Sequence, residues 1–278
     1  MSKKAQGVIW LVVAIIAAIV IGYIIYSTVM FKVQNVKHPE VTFDVEGYGK
    51  VKIELYPEYA PNTVVNFIKL AQEGYYNGKV VYGKDSIAEY WGRTEDGDVE
   101  APKASLVNSS IESGSDSDFE YEIKGEFIAN GFNQNTLQHK RGVVSMVRAD
   151  YTSQIPSLVD ESYNSASSQI SILLADSTKS LNGLYAGFGR IIEGMDIIDK
   201  IYDLPTQVDE GSTSDELSSM STDESSSNTI QKFETYPVIG STTVETYGID
   251  YGSPVIKKAF DYSSYLYELM SQYYGNNQ

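Results

Sequence analysis

The chain has 278 residues, 42% of them hydrophobic, with a formal charge of −16 at pH 7 and a pI of about 4.5. A field of that sign opposes binding to nucleic acid, anionic lipid and anionic wall polymers. The absence of cysteine removes disulfides, thiolate metal sites and Cys nucleophiles, and two histidines, His38 and His139, are too few for a multi-histidine metal site. Neither a metal nor another cofactor is expected.

The first element is Val8 to Val29, an uncharged apolar run of 22 residues, the length of a membrane-crossing helix. Trp10, Tyr23 and Tyr26 suit the interfacial belts. The reading is a cytoplasmic tail at 1–7, a transmembrane helix at 8–30 and a tether at 31–39. Lys3 and Lys4 face Lys32 and Lys37 across the run, and the short tail favours N-inside, with the body outside the cytoplasm at the cell membrane.

From Val41 the pattern changes. Val41, Phe43 and Val45 alternate with polar residues, Gly47 to Lys50 makes a turn, and Val51, Ile53 and Leu55 return as a second strand. Pro61 opens a helix whose stripe is Val64, Phe67, Ile68 and Ala71, and Gly74 ends it. Lys79 to Tyr82 reads as a strand, and residues 93–119 as an acidic loop. Strands are expected again at 142–147 and 170–174. Gly194 to Tyr202 reads as a second helix, 206–231 as a second acidic loop, and Val238 to Tyr247 as the last strand. Ser253-Pro254 is expected to open a C-terminal amphipathic helix over 252–278 through an N-cap and a first-position proline. Its stripe packs on its own domain or receives a protein partner.

Several blocks together resemble the cyclophilin family of peptidyl-prolyl isomerases. They are Tyr56-Pro57 with Ala60 to Val64 and Asn66-Phe67, Gly74 to Gly78, Ile123 to Phe127, His139 to Met146, Asn164 to Gln169, Leu181-Asn182-Gly183, Phe188-Gly189 and Ile192 to Asp196. The resemblance spans residues 40–251. It implies a mainly β fold, a closed antiparallel barrel of eight strands capped by two helices, here with the N-terminal transmembrane helix and the C-terminal helix added. It also implies prolyl isomerisation of proline-containing or unfolded polypeptides. The expected role is folding of exported proteins by a membrane-anchored enzyme. The other reading is a catalytically silent domain that uses the same groove to bind such segments or a membrane-complex partner.

Rotation about an X–Pro amide breaks its resonance against a barrier of roughly 18–20 kcal/mol. It calls for a cation or donor near the prolyl nitrogen, groups that hold the flanking peptide, and an apolar seat for the ring. Counting without gaps from Gly74, the family arginine falls on Gly83, and its Phe, Met and Gln fall on Ala88, Glu89 and Trp91. The family's pocket phenylalanine falls on Ser171. Retained are Gln169, expected to orient the substrate amide, and Leu181. Tyr185 stands where many bacterial members also have tyrosine, and Val147-Arg148-Ala149 maps to the peptide-binding main chain. Arg148 is the candidate substitute for the missing cation, with Lys84 as another, and Trp91 is assigned to the groove. His139 reads as structural.

Overall fold

The structure, a computed structural model, describes residues 15–23, 37–176, 178–207 and 230–275. The chain divides into two units, Met1–His38 and Pro39–Gln278. In the first, residues 15–23 are helical and exposed. The rest of the expected transmembrane helix, the tail 1–7 and most of the tether lie outside the described residues. Among the described residues no helix is long and apolar enough to cross a membrane, which corrects the expectation of a transmembrane helix in the fold.

The second unit is built on a ten-stranded antiparallel sheet. Its strands are β1 (Glu40–Val45), β2 (Gly49–Leu55), β3 (Val80–Lys84), β4 (Ala88–Arg93), β6 (Val143–Met146), β7 (Ile170–Leu173), β8 (Gly187–Glu193), β9 (Thr206–Gln207), β10 (Gln231–Phe233) and β11 (Ile239–Glu245). A separate two-residue ladder joins β5 (Tyr121–Glu122) to β12 (Lys257–Lys258). The helices are α1 (Pro61–Gln72), α2 (Ala104–Val107), α3 (Val159–Tyr163), α4 (Thr178–Leu181), α5 (Met195–Tyr202) and α6 (Tyr262–Gly275).

The sheet runs β11-β1-β2-β8-β6-β7-β4-β3-β10-β9 and therefore has two ends. The expected closed eight-stranded barrel is corrected to this open ten-stranded sheet. Closure would need β3 to pair along β11. Instead β10 occupies part of the β3 edge, with Gln231 opposite Lys84 and Lys232 opposite Gly83. An isolated bridge, Val80 to Val238, links β3 to the approach of β11, with the Val81 amide donating to the Pro237 carbonyl at 2.9 Å and the Ile239 amide to the Lys79 carbonyl at 2.8 Å.

The inward stripe of the first hairpin (Val41, Phe43, Val45, Val51, Ile53, Leu55) is fully buried, as the period of two dictates. Against it lie Val64, Phe67, Ile68 and Ala71 of α1 and Ile197, Ile198 and Ile201 of α5. Burying each large side chain is worth about 1.5–3 kcal/mol, and Phe67 meets Phe43, Tyr76 and Phe188 at 6.0, 5.2 and 5.1 Å. The first turn of α1 holds no acidic residue of its own. Glu126 supplies one, accepting hydrogen bonds from the Asn62 and Thr63 amides at 3.0 and 2.8 Å.

The C-terminal helix starts at Tyr262, nine residues after the Ser253 expected to cap it. Residues 257–258 are used instead as β12. The cap is Asp261, whose carboxylate accepts the Ser264 amide at 2.9 Å and its hydroxyl at 2.6 Å. The first acidic loop also holds a short helix, α2, and residues 208–229 of the second lie outside the described residues.

Candidate functional site

The site is decided by which way β3 and β4 face. Their ladder is irregular between Val80 and Val81 and between Val81 and Gly83. After such a bulge, alternation continues on exchanged faces. Ala88 and Tyr90 therefore point to the outer face with Val80 and Tyr82, while Glu89 and Trp91 turn inward. The groove placement of Trp91 is corrected: it is fully buried and stacked on Phe43, ring centres 6.0 Å apart.

The outer face is filled with aromatic rings. Tyr90 lies opposite Ser171 on β7, so its ring occupies the side where the family places a phenylalanine. Tyr82 stands 6.1 Å from it. Asp85 fixes the turn between the strands, accepting the Ile87 and Ala88 amides and the Tyr90 hydroxyl, each at 2.8 Å. Leu181 and Tyr185 belong to this cluster at 0% and 1% exposure, so they form the floor under the surface and do not line it. The Arg148 guanidinium lies over Tyr185, 4.5 Å from its ring centre, and 5.1 Å from that of Tyr163. Its Nε donates to the Leu184 carbonyl at 3.4 Å.

Gly83 has no room for the family arginine. A Cβ there would lie 2.6 Å from Ile230 Cγ2 and 3.0 Å from the Gln231 carbonyl oxygen. The added strand that keeps the sheet open also walls off this position. Lys84 is turned away, its ammonium held by the Tyr202 and Leu204 carbonyls beyond α5.

A cation comes from elsewhere. Arg93, at the end of β4, donates from Nε to Gln169 Oε1 at 3.2 Å and lies 4.2 Å from the centre of the Tyr82 ring. A second donor, Nη1, reaches the Gly97 carbonyl at 3.1 Å, which fixes the plane of the guanidinium. Sequence reasoning missed this residue because it begins the acidic stretch read as solvated loop. The available signal was its place directly after Gly92 at the end of an alternating strand.

Gln169 sits on a segment fixed by its neighbours. Asn66 Nδ2 donates to the Ser167 carbonyl at 2.6 Å, and the Tyr76 hydroxyl to the Ser168 carbonyl at 2.9 Å. The Val147 amide donates to the Gln169 carbonyl at 3.0 Å, and the Ala149 amide to Ser165 Oγ at 2.7 Å. Gln169, Val147, Arg148 and Ala149 thus line one cleft of about 270 Å³ together with Tyr121 and Glu122. The structure brings these four together with Arg93, and leaves Leu181 and Tyr185 beneath and Trp91 in the core.

His139 is part of the support. It is buried, and burial pulls its pKa down to about 4. Nδ1 lies 3.0 Å from Asn182 Oδ1 and Nε2 lies 3.1 Å from Ser145 Oγ. The amide oxygen can only accept, so the proton sits on Nδ1 and Nε2 accepts from the serine hydroxyl. In chemical terms the site offers a fixed guanidinium, a carboxamide and a stretch of main chain beside an open cleft. Such a set is chemically able to hold an extended peptide and to favour charge developing at one of its atoms.

The family model for "Cyclophilin type peptidyl-prolyl cis-trans isomerase/CLD" matches residues 40–222. A "Probable peptidyl-prolyl cis-trans isomerase" of Brucella suis biovar 1 is 33% identical over 153 residues, which are 55% of this chain and 66% of that protein. A peptidyl-prolyl cis-trans isomerase of Arabidopsis thaliana is 29% identical over 162 residues, 58% of this chain and 59% of that one. "Peptidyl-prolyl cis-trans isomerase-like 4" of Neurospora crassa is 28% identical over 160 residues, 56% of this chain and 29% of that protein. The chain thus spans from a quarter to two thirds of the length of the first curated relatives it matches. Among solved structures, a Cryptosporidium parvum cyclophilin-type isomerase crystallised in the presence of the dipeptide Ala-Pro aligns with a TM-score of 0.46 at 18% identity. That alignment covers 74% of this chain and 98% of the other.

Proposed function

Because this chain belongs to the cyclophilin-type peptidyl-prolyl cis-trans isomerase family, we propose that it speeds rotation about X–Pro bonds of extended polypeptide seated in the Gln169 cleft. The observation that carries the reading is the Arg93–Gln169 hydrogen bond at 3.2 Å. It supplies the cation that position 83 lacks. With their amides bonded internally, Val147 and Ala149 offer the flanking peptide main-chain carbonyls, Gln169 orients its amide, and the guanidinium of Arg93 favours the pyramidal prolyl nitrogen. The pinned geometry matters because such a donor stabilises the transition state only if it needs no reorganisation when the bond turns. Arg148 shapes the cleft through its seat on Tyr185 and Tyr163.

A second reading, a binding domain with little or no catalysis, is favoured by one finding. The substrate-binding candidates Leu181 and Tyr185 are both buried, and the Arg148 guanidinium lies 4.5 Å from the centre of the Tyr185 ring. The two readings separate in an isomerisation assay on short Ala-Pro peptides. Acceleration by the wild type that falls in Arg93→Ala by roughly 10²–10³-fold, or to the unaided rate, supports the enzyme. No acceleration, with retained binding of an unfolded protein, leaves the binding domain.

The reading extends to location. The uncharged run Val8–Val29 and its flanking lysines support a domain held at the cell membrane and exposed outside the cytoplasm, where exported polypeptides would be its clients. Protease added to intact cells would cleave the domain in that arrangement and spare it in the opposite one. A protein partner for α6 belongs to the same reading, supported by Tyr267, Met270 and Tyr273 at 77%, 58% and 68% exposure. Loss of a crosslinked species in a Tyr267→Ser/Met270→Ser variant tests it.

A further inference from the structure

The cleft has a wall that does not come from the sheet. Residues 255–261, with β12 (Lys257–Lys258) among them, are bound in place ahead of α6. Asn62 grips Val255 on both sides, donating from Nδ2 to its carbonyl at 2.9 Å and accepting its amide at 2.7 Å. Lys257 then pairs with Glu122, their charged atoms 2.8 Å apart, and the Ala259 amide donates to the Glu120 carbonyl at 2.8 Å. Main-chain pairing of Lys257 and Lys258 with Glu122 and Tyr121 completes the ladder. The pairing is a short antiparallel ladder made within one chain, apart from the main sheet.

The consequence lies at its end. Ala259 and Phe260 line the same cleft as Gln169 and Arg148. The Phe260 ring meets Tyr151 edge-on at 5.3 Å, and Tyr151 is stacked on Tyr262 at 4.9 Å. Tyr265 extends the group, 5.6 Å from Phe260. The charges around the cleft are internally matched: Glu120 faces Lys103 at 3.1 Å, Glu122 faces Lys257, and Arg148 rests on aromatic rings. What the C-terminal side presents to an incoming peptide is an aromatic face.

We propose that the C-terminal segment is a specificity-determining wall, with Phe260 selecting peptides that carry an aromatic residue close to the proline. The inference rests on the peptide-binding reading of the Gln169 cleft. An edge-to-face ring pair is favourable beyond the area it buries, and Phe260 is already oriented by Tyr151 and Tyr265, so little freedom is lost on binding.

The test uses the full chain in mild detergent and proline peptides in which one Phe is moved through the three positions on either side of the proline. Binding is read by fluorescence anisotropy and isomerisation by the standard coupled assay. At one position Phe should improve binding over Ala, and Phe260→Ala should remove that advantage. The expected loss, read as the ratio of Phe-peptide to all-Ala-peptide binding within each variant, is roughly two- to twelve-fold, the factor carried by about 0.5–1.5 kcal/mol of aromatic pairing. Phe260→Tyr should keep the preference, which separates ring recognition from detachment of the segment. No Phe advantage at any position, or an equal change for Phe and Ala peptides in Phe260→Ala, overturns the wall. Selective binding without isomerisation would sink the enzyme reading and leave the wall standing. Isomerisation without selectivity would do the reverse.

Discussion

Glu126 holds the start of a helix that begins more than sixty residues before it. Its carboxylate accepts the Thr63 amide at 2.8 Å and the Thr63 hydroxyl at 2.7 Å, all of it buried. Removing that acceptor strands buried donors at the positive end of α1. Glu126→Ala should lower unfolding free energy by about 1–3 kcal/mol in urea titration. Glu126→Gln, which keeps one acceptor oxygen, should lose less. Equal stability of the alanine variant and the wild type would show that the contact contributes nothing.

Restoring the family arginine at position 83 should harm the protein. The 2.6 Å approach of Ile230 leaves no space for even a methyl group, and the Gln231 carbonyl is backbone and cannot rotate away. Gly83→Arg is expected to melt below the wild type and to gain no isomerase activity. Gly83→Arg with Ile230→Gly should recover part of the lost melting temperature. A Gly83→Arg protein as stable as the wild type would mean that β10 is readily displaced.

Glu89 is fully buried, its Oε2 accepts from the Trp91 indole at 3.2 Å, and its Oε1 finds no hydrogen-bond partner among the described residues. Burial pushes its pKa from 4.5 up to about 8. The folded protein therefore keeps a proton that the unfolded chain releases above about 4.5. The associated stability is complete below that pH and is lost as pH rises through about 8. Denaturant titrations of wild type and Glu89→Gln at pH 5 and pH 8 check this. The variant should gain relative to wild type at pH 8, and a difference that does not change with pH would refute it.

His139 acts with the opposite sign. Burial holds it neutral to about pH 4, while the unfolded chain protonates near 6.5. Its contribution is present above about 6.5 and is lost as pH falls toward 4. Nitrogen NMR at pH 5.5 should show a neutral ring protonated at Nδ1. A doubly protonated imidazole at that pH would contradict the buried Ser145–His139–Asn182 chain.

Most of the element order can be read along the chain. The hairpin of β1 and β2, helix α1 behind Pro61 and helix α5 behind Gly194 each carry their own period and end signals, which are local. Gln169 ends one motif block and the 147–149 segment follows another directly, and the two line the same cleft. The face of β4 was not legible along the chain. Alternation states that Trp91 and Tyr90 point opposite ways, but a bulge within β3 decides which of them meets the core, and bulges leave no mark on composition. The start of the last helix misled for a related reason: Ser253-Pro254 is a sound capping signal, yet Asn62 and Glu122 claim the residues after it for a strand.

By itself, the order of residues determined a mainly β domain of the cyclophilin family, its two packing helices and the absence of thiol chemistry, because short-range patterns and composition carry that information. Only the tertiary structure decided that β10 shuts position 83, that Arg93 reaches Gln169 across 76 residues, and that the C-terminal segment walls the cleft. Those relationships join groups remote along the chain, and their geometry depends on how the sheet is bulged and where its edges are covered.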